Sequence, residues 1–250
     1  MTPFPALLAA LAAVQATPPA ELQCPASDAS VICQAEAGPN WAFLYAFPAE
    51  IRAWPMLFVS FRRSASRARE RFEALIAEAR VNPQERYSRE EVYTIDANTP
   101  ELLAMAVRQV EQRGGAGTTW SIGSLIWDRR GGRLLNFEQL FENAGAGQAL
   151  VNARFCPALR EARDTALGGR HEDCPDLYFV RLIPGGDGRI ARLHLSFDPI
   201  DGLEDGQFDV EVPVTPAFIE ALQRSYRSAF VASEGTVTVC RRASAGEPCS

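Results

Sequence analysis

The stretch from Val92 to Phe141 constrains the fold of this 250-residue chain most, because two apolar segments alternate in it with small-residue breaks. The first segment opens on Thr99-Pro100 and ends at the run 114–117, which is Gly-Gly-Ala-Gly. The second runs from Trp120 to Trp127 and reaches a charged turn that contains Gly131-Gly132. Apolar segments bounded by glycines are typical of short elements joined by tight turns. The stretch contains no catalytic motif, so it predicts architecture rather than activity.

The first of these segments is compatible with two structures. Thr99 as N-cap, Pro100 at the first helical position and Gly114 as a stop predict a helix. Apolar residues within the segment also alternate, as they do on one face of a strand: Leu103, Met105 and Val107. The residues alone leave the choice open.

The whole pattern predicts an α+β fold, in which an antiparallel sheet is packed by about three helices and stapled by disulfides. The predicted helices are Ser66–Arg80, Ala146–Leu167 and Thr215–Arg227. Pro157 lies inside the second helix and is expected to break or restart it. The last third of the chain predicts a β-meander, with strands near 177–183, 191–197 and 208–212 and a tail strand near 236–240.

The N-terminus is typical of an export signal. Its apolar core, Phe4–Val14, has the length of a signal-peptide core and is too short to span a bilayer. A short buried helix or a wrongly assigned start codon is the alternative, since no arginine precedes that core. We predict a signal peptide at 1–16, an N-terminal arm at 17–40, one α+β unit at 41–232 whose halves meet near 143–176, and a tail at 233–250. No membrane span is expected after cleavage of the signal.

The six cysteines form three sequential pairs, which are Cys24 with Cys33, Cys156 with Cys174, and Cys240 with Cys249. Short loops are the easiest to close, so these spacings suit local disulfides, although the sequence does not choose among the connectivities. No C-x-x-C pair or histidine spacing matches a zinc site, and no metal is expected. Because disulfides persist in oxidising compartments, we predict a periplasmic or secreted protein.

The charge of the chain argues against several classes of function. The net charge is −6 and the sequence pI is near 5.1, which opposes non-specific binding to nucleic acid or to an anionic membrane. All 25 basic residues are arginine, so Schiff-base chemistry and Ser-Lys nucleophiles are excluded. No motif for an organic cofactor is present, and none is expected.

The candidates for catalysis are few. His171 lies in a polar turn, and His194 lies on the polar face of a predicted strand, where we expect it to be exposed. The densest acidic cluster consists of Asp198, Asp201, Glu204, Asp205 and Asp209. Two of these carboxylates could serve a cell-wall carbohydrate hydrolase, but a hydrophilic turn is the plainer interpretation. We assign no catalytic residue, and the sequence favours a protein that is not an enzyme.

The order of features between Val92 and Phe141 resembles a known family. It is similar to the pair of domains of unknown function found in ectodomains of lysozyme-sensing anti-sigma factors and beside some peptidoglycan deacetylase domains. The matching residues are Tyr93, Thr99–Leu103, Gly114–Ala116, Trp127-Asp128, Gly132, Leu135–Phe141, Ile190–Phe197, Gly206, Val210–Pro213 and the helix from Thr215. The family usually has a histidine after its Gly-Gly-Ala, whereas this chain has Gly117. The resemblance covers about Ala42 to Phe230, and a deacetylase domain is not expected in this sequence.

The resemblance implies that residues 102–112 form a strand and that the glycine break is a bend between two strands. It also implies a non-enzymatic module of the cell envelope that binds peptidoglycan or a lysozyme-like protein. The candidate binding residues are Gly114, Gly115, Ala116, Gly117 and Trp120, since a glycine bend can expose backbone and a tryptophan can stack on a sugar. The carboxylate-dependent hydrolase is the alternative.

Overall fold

The computed structural model describes residues 24, 29–79, 85–169, 174, 179–196 and 208–241. Within these residues the chain forms two β-sheets and three α-helices, which confirms the predicted α+β class. None of the described helices is long and apolar enough to cross a bilayer.

The larger sheet has six strands in the order in which they follow along the chain. Its strands are β1 (Val31–Ala37), β2 (Trp41–Pro48), β3 (Tyr87–Asn98), β4 (Leu102–Arg113), β5 (Thr118–Asp128) and β6 (Arg133–Leu135). Strands β2 and β3 are parallel, and every other neighbouring pair is antiparallel. A parallel pair needs a long crossover, and helix α1 (Pro55–Ala79) supplies it.

The smaller sheet is the predicted meander. Its strands are β7 (Phe179–Pro184), β8 (Ile190–Ser196), β9 (Phe208–Pro213) and β10 (Thr238–Arg241). They pair antiparallel in the order β10-β9-β8-β7, so the tail strand lies at one edge. Strand β7 lies at the other edge and contacts β3, β4 and β5 of the larger sheet.

Helix α1 is longer than predicted, because it begins at Pro55 rather than at Ser66. Pro55 suits the first turn, where its missing N–H costs nothing. The apolar residues that repeat at helical spacing along its whole length are buried: Leu57, Phe61, Ala65, Ala68 and Phe72. Because this buried face is continuous, the helix begins closer to the N-terminus than predicted.

Helix α2 (Ala144–Leu167) continues through Pro157, so the predicted break at that proline is wrong. Proline inside a helix costs about 3 kcal/mol. On either side of it, buried residues at i, i+4 and i+8 occupy one face: Val151, Phe155 and Leu159. Burial of each stabilises by about 1.5–3 kcal/mol, which together exceeds the cost of the proline.

Helix α3 (Pro216–Ala221) is shorter than the predicted helix, which extended to Arg227. Thr215 caps it as expected, since its hydroxyl accepts a hydrogen bond from the Phe218 N–H. The helix ends before Leu222, because the extended backbone of Leu222 pairs with Phe141 in the segment before α2. The N–H of Gln223 donates to the carbonyl of Leu140 at 2.8 Å, which a continued helix would not allow.

The segment that the residues alone left ambiguous forms strand β4, as the resemblance implies. It lies between β3 and β5, and side chains on both of its faces are buried. Leu103 and Met105 join a core beneath α1, whereas Leu102 and Ala104 join a second core beneath α2 and the smaller sheet. Burial on both faces overrides the local helix propensity.

Two of the predicted disulfides are present, Cys24–Cys33 and Cys156–Cys174. Cys240 is also disulfide-bonded, while Cys249 lies outside the described residues. Disulfides persist in oxidising compartments, so the bonded cysteines indicate a non-cytoplasmic protein.

Candidate functional site

The Gly-Gly-Ala-Gly run forms the turn that joins β4 to β5. Gly114 has a φ of +55°, and its N–H donates to the carbonyl of Arg86 at 2.9 Å. A Cβ at this position would lie 2.2 Å from Glu85 Oε2 and 2.7 Å from the Tyr87 hydroxyl. Glycine is therefore required here by both backbone conformation and close packing.

The other predicted binding residues contribute less to the turn's packing. Gly117 has a φ of +90°, and a Cβ there would have no neighbour within 4 Å. Gly115 lies within the turn, near Glu85. Trp120 lies in β5 opposite Val110, and its side chain, like that of Ala116, lies outside the described part of the structure.

A shallow polar groove lies on the larger sheet beside this turn. Its volume is about 130 Å³, and it is lined by Arg89, Glu90, Gln109, Val110, Glu111, Thr119 and Ser121. The strand register sets Arg89, Glu111 and Thr119 side by side across β3, β4 and β5. Two residues further along, the same register sets Glu91, Gln109 and Ser121 side by side. Residues paired in this way share one face, which is the face covered elsewhere by α1.

Arg89 is the centre of the charges in the groove. Its guanidinium donates to Glu111 at 2.7 Å and to Glu91 at 3.2 Å. Glu91 is only 5% exposed, and it also accepts a hydrogen bond of 2.6 Å from the Tyr93 hydroxyl. The Nε of Arg89 is buried and has no acceptor among the described residues.

Every carboxylate of the groove is paired with an arginine. Besides its bond to Arg89, Glu111 contacts the side chain of Arg113. The register places Glu90 on the opposite face of the sheet, where its side chain contacts Arg108. The groove is therefore close to neutral as a whole, while its surface offers charged groups of both signs, the Gln109 amide and two hydroxyls. Such a lining suits a ligand rich in hydroxyl, amide and ionic groups rather than a polyanion or a polycation.

The pKa values of two tyrosines beside the groove are raised. Burial raises the pKa of Tyr45 to about 12. Burial, and after it the neighbouring Tyr45 and Glu91, also raises the pKa of Tyr93. Tyr93 therefore remains a phenol that holds the Glu91 carboxylate in place.

The acidic cluster predicted for the alternative activity falls largely outside the described residues, as does His171. Asp209 is described and is only 1% exposed. It accepts a hydrogen bond of 3.1 Å from the Ser196 hydroxyl. A carboxylate that is buried and bonded in this way is poorly placed to reach a polymeric substrate.

His194 is buried, so the prediction of an exposed histidine is wrong. Its strand position pairs it with Arg181, and Arg181 in turn bonds Asp96 of the larger sheet at 2.6 and 2.9 Å. The polar face of the smaller sheet is thus covered near β3 rather than solvated. His194 Nε2 lies 3.3 Å from Asp209 but is not aligned for a hydrogen bond, and it accepts none from a serine among the described residues. The described residues contain no group of three metal-ligand side chains.

The remaining residues of the sequence motif form a structural link rather than a binding site. Asp128 accepts hydrogen bonds from the N–H groups of Arg130 and Gly131, and from the Tyr226 hydroxyl at 3.0 Å. Glu101 accepts from the Ser228 hydroxyl at 2.9 Å and from Arg130 at 3.2 Å. The motif therefore attaches the larger sheet to the segment that follows α3.

Sequence reasoning missed the groove residues on β3 and on the second half of β4. The available signal was the change along β4 from apolar residues at 102–107 to residues at 108–113 that are all polar except Val110. A strand that becomes polar on both faces leaves the core and lines a surface.

Comparison with known proteins finds similar solved structures. No family model matches the chain, and no curated protein matches it. One similar solved structure is a DUF3298 family member from Bacteroides fragilis, with 13% identity and a TM-score of 0.46 over 78% of this chain and 93% of that chain. Another is a DUF3298 family protein from Pseudomonas aeruginosa, with 13% identity and a TM-score of 0.45 over 81% and 97%. Similarity at this level carries no conclusion about function.

Proposed function

We propose that the protein is an exported, non-enzymatic module of the cell envelope that binds peptidoglycan through the groove beside Gly114–Gly117. The observation that carries the proposal is the lining of the groove, where paired charges, an amide and hydroxyls lie together on an open sheet surface. Peptidoglycan presents sugar hydroxyls, amides, amines and carboxylates, which these groups complement.

The size of the groove favours a polymer over an enclosed small molecule. Enclosed ligand sites usually occupy about 300–1,000 Å³, and this groove has about 130 Å³. It can hold one segment of a longer ligand that continues across the sheet.

The paired carboxylates favour binding over catalysis. General acid–base catalysis needs a group that can give up or take a proton in reach of the substrate. Glu91 and Glu111 both accept hydrogen bonds from Arg89, so oxygens of both carboxylates are already engaged by a guanidinium.

A lysozyme-like protein is the other partner that the resemblance implies. A stable protein interface buries about 800 Å² on each partner, which a groove of about 130 Å³ does not supply by itself. Peptidoglycan is therefore the ligand we propose, and binding to lysozyme is an outcome of the test. The predicted signal at 1–16 and the disulfides support the proposal of export to a periplasmic or secreted location.

Retention on peptidoglycan sacculi and on immobilised lysozyme tests the proposal. The double substitution Gln109→Ala and Ser121→Ala removes two groove groups, which share a hydrogen bond of 3.3 Å, without leaving a charge unpaired. The matched control is Gln112→Ala with Thr118→Ala, a cross-strand pair on the opposite face of the same strands.

We expect the first variant to lose several-fold in retention on sacculi and the control to behave like the parent. Absence of retention on sacculi, or equal loss in both variants, contradicts the proposal. Retention on lysozyme alone would assign the partner to the protein class instead. Release of muropeptides during incubation would favour the carboxylate-dependent hydrolase.

A further inference from the structure

The first two thirds of α1 carry a net positive charge, although the chain as a whole has a net negative charge. Residues 55–71 contain five arginines and one glutamate, a net charge of +4 in a chain whose net charge is −6. The arginines are Arg62, Arg63, Arg67, Arg69 and Arg71. Attraction to a nearby surface follows the local charge within a Debye length of about 8 Å. The acidic composition therefore does not oppose anion binding at this helix.

Most of these arginines are available to a partner. Arg69 bonds Glu36 at 2.9 Å and Glu73 at 3.0 Å. The other four are exposed and form no ion pair within the described part of the chain. The net positive charge of the helix is therefore presented to solvent.

The same face exposes apolar side chains. Met56 is 69% exposed and Val59 is 43% exposed, and they are two of the three exposed large hydrophobic residues in the described structure. Met56, Val59, Arg63 and Arg67 follow one another at helical spacing, so they form one stripe. This stripe lies opposite the face of α1 that is buried against the sheet. We call it the outer stripe of α1.

We propose that the outer stripe of α1 docks on a bilayer surface that contains anionic phospholipid. Arg63 and Arg67 would contact the lipid phosphates, with Arg62 and Arg71 beside them. Met56 and Val59 would enter the headgroup region, where exposed apolar side chains gain by leaving water.

The apolar residues decide between a bilayer and a soluble polyanion. Arginines alone suit either partner, because both present negative charge. An exposed methionine and valine at the end of the basic stripe gain nothing from a hydrated polyanion, but they match the boundary between headgroups and acyl chains. Arginine side chains also extend along such a boundary with their charge in water. This docking does not depend on the groove or on its ligand.

Vesicle co-sedimentation tests the proposal with the protein recovered after export. The vesicles contain either phosphatidylcholine alone or phosphatidylcholine mixed with phosphatidylglycerol. One variant carries Arg63→Gln and Arg67→Gln, and a second carries Met56→Ser and Val59→Ser. The matched control carries Arg160→Gln and Arg224→Gln, which remove the same charge from exposed positions elsewhere. All proteins share one N-terminus, so any binding by residues 1–16 is common to them.

We expect binding that requires phosphatidylglycerol and falls at high salt. The arginine variant should bind on the order of tenfold more weakly than the parent, given the usual contribution of each basic residue near an anionic surface. The apolar variant should also bind more weakly, and the control should match the parent. Equal binding to both vesicle types, or an arginine variant that matches the control, would overturn the proposal. So would an apolar variant with unchanged binding, because the stripe would then be a site for a soluble anion.

Discussion

Asp128 is the single residue that most directly connects the two parts of the fold. It ends β5, closes the turn that follows through two backbone hydrogen bonds, and accepts a third from the Tyr226 hydroxyl. Both side chains of the long-range bond are buried, although they lie 98 residues apart. The Asp-x-x-Gly pattern predicts the turn from sequence, but nothing local predicts its distant tyrosine.

Substitution Tyr226→Phe should lower the free energy of unfolding by about 1–3 kcal/mol, because it leaves a buried carboxylate with one donor fewer. Urea unfolding measures the change. The exposed neighbour provides the control, and Ser225→Ala should leave the midpoint unchanged. Equal stability of the Tyr226→Phe variant and the parent would mean that the bond is formed only weakly in solution.

Tyr45 gives the stability of the protein a dependence on alkaline pH. Its pKa is about 12 in the folded state and near 10 for an exposed tyrosine. Because the folded pKa is raised, the contribution is fully present below pH 10 and is lost as the pH rises toward 12. Between about pH 9 and about pH 11 the parent should lose about 1 kcal/mol more than Tyr45→Phe in urea unfolding. Identical pH profiles would show that the hydroxyl titrates as it does in water.

At the scale of elements, the turn between β4 and β5 contains two glycines with positive φ that differ in how closely they are packed. Gly114 combines a positive φ with close contacts to Glu85 and Tyr87, whereas Gly117 has a positive φ and open space. Gly117 has a ψ of −168°, which places it in a region essentially restricted to glycine, so alanine there should cost about 1–3 kcal/mol in backbone strain alone. Alanine at Gly114 should cost about 1–2 kcal/mol in backbone strain and about 1 kcal/mol or more besides, since the Tyr87 ring must also move. Thermal unfolding of the two variants measures these losses, and a loss below about 2 kcal/mol at Gly114 would remove the packing argument.

Some elements of the fold can be predicted from local sequence patterns, whereas others depend on contacts with distant parts of the chain. The meander strands and the start of α3 follow from alternation and capping, which are local. The continuation of α2 through Pro157 and the strand character of β4 depend on partners distant in sequence. The groove depends on register, because Arg89 meets Glu111 only when β3 and β4 pair with one particular offset. A shift by one residue would turn these side chains to the other face.

At the scale of the whole molecule, β4 joins two cores that would otherwise be separate. Leu103 and Met105 face the core beneath α1, and their neighbours Leu102 and Ala104 face the core beneath α2 and the smaller sheet. Neither core can lose its packing without disturbing a strand that the other needs. The bonds from Asp128 and Glu101 to the segment after α3 add a second link between the same two parts.

This sharing of β4 predicts a single cooperative unfolding transition. Leu102→Ala and Leu103→Ala open cavities in different cores, and each should lower the free energy of unfolding by about 2–5 kcal/mol. Because both cores share β4, each variant should still unfold in a single transition, with its midpoint at a lower urea concentration. Tryptophan fluorescence and far-ultraviolet circular dichroism should give the same midpoint for that transition. Gln112→Ala, near the end of β4 and outside both cores, serves as the control and should leave the transition in place. If Leu103→Ala instead separates the two probes while Leu102→Ala does not, the core beneath α1 unfolds independently and β4 does not couple the halves.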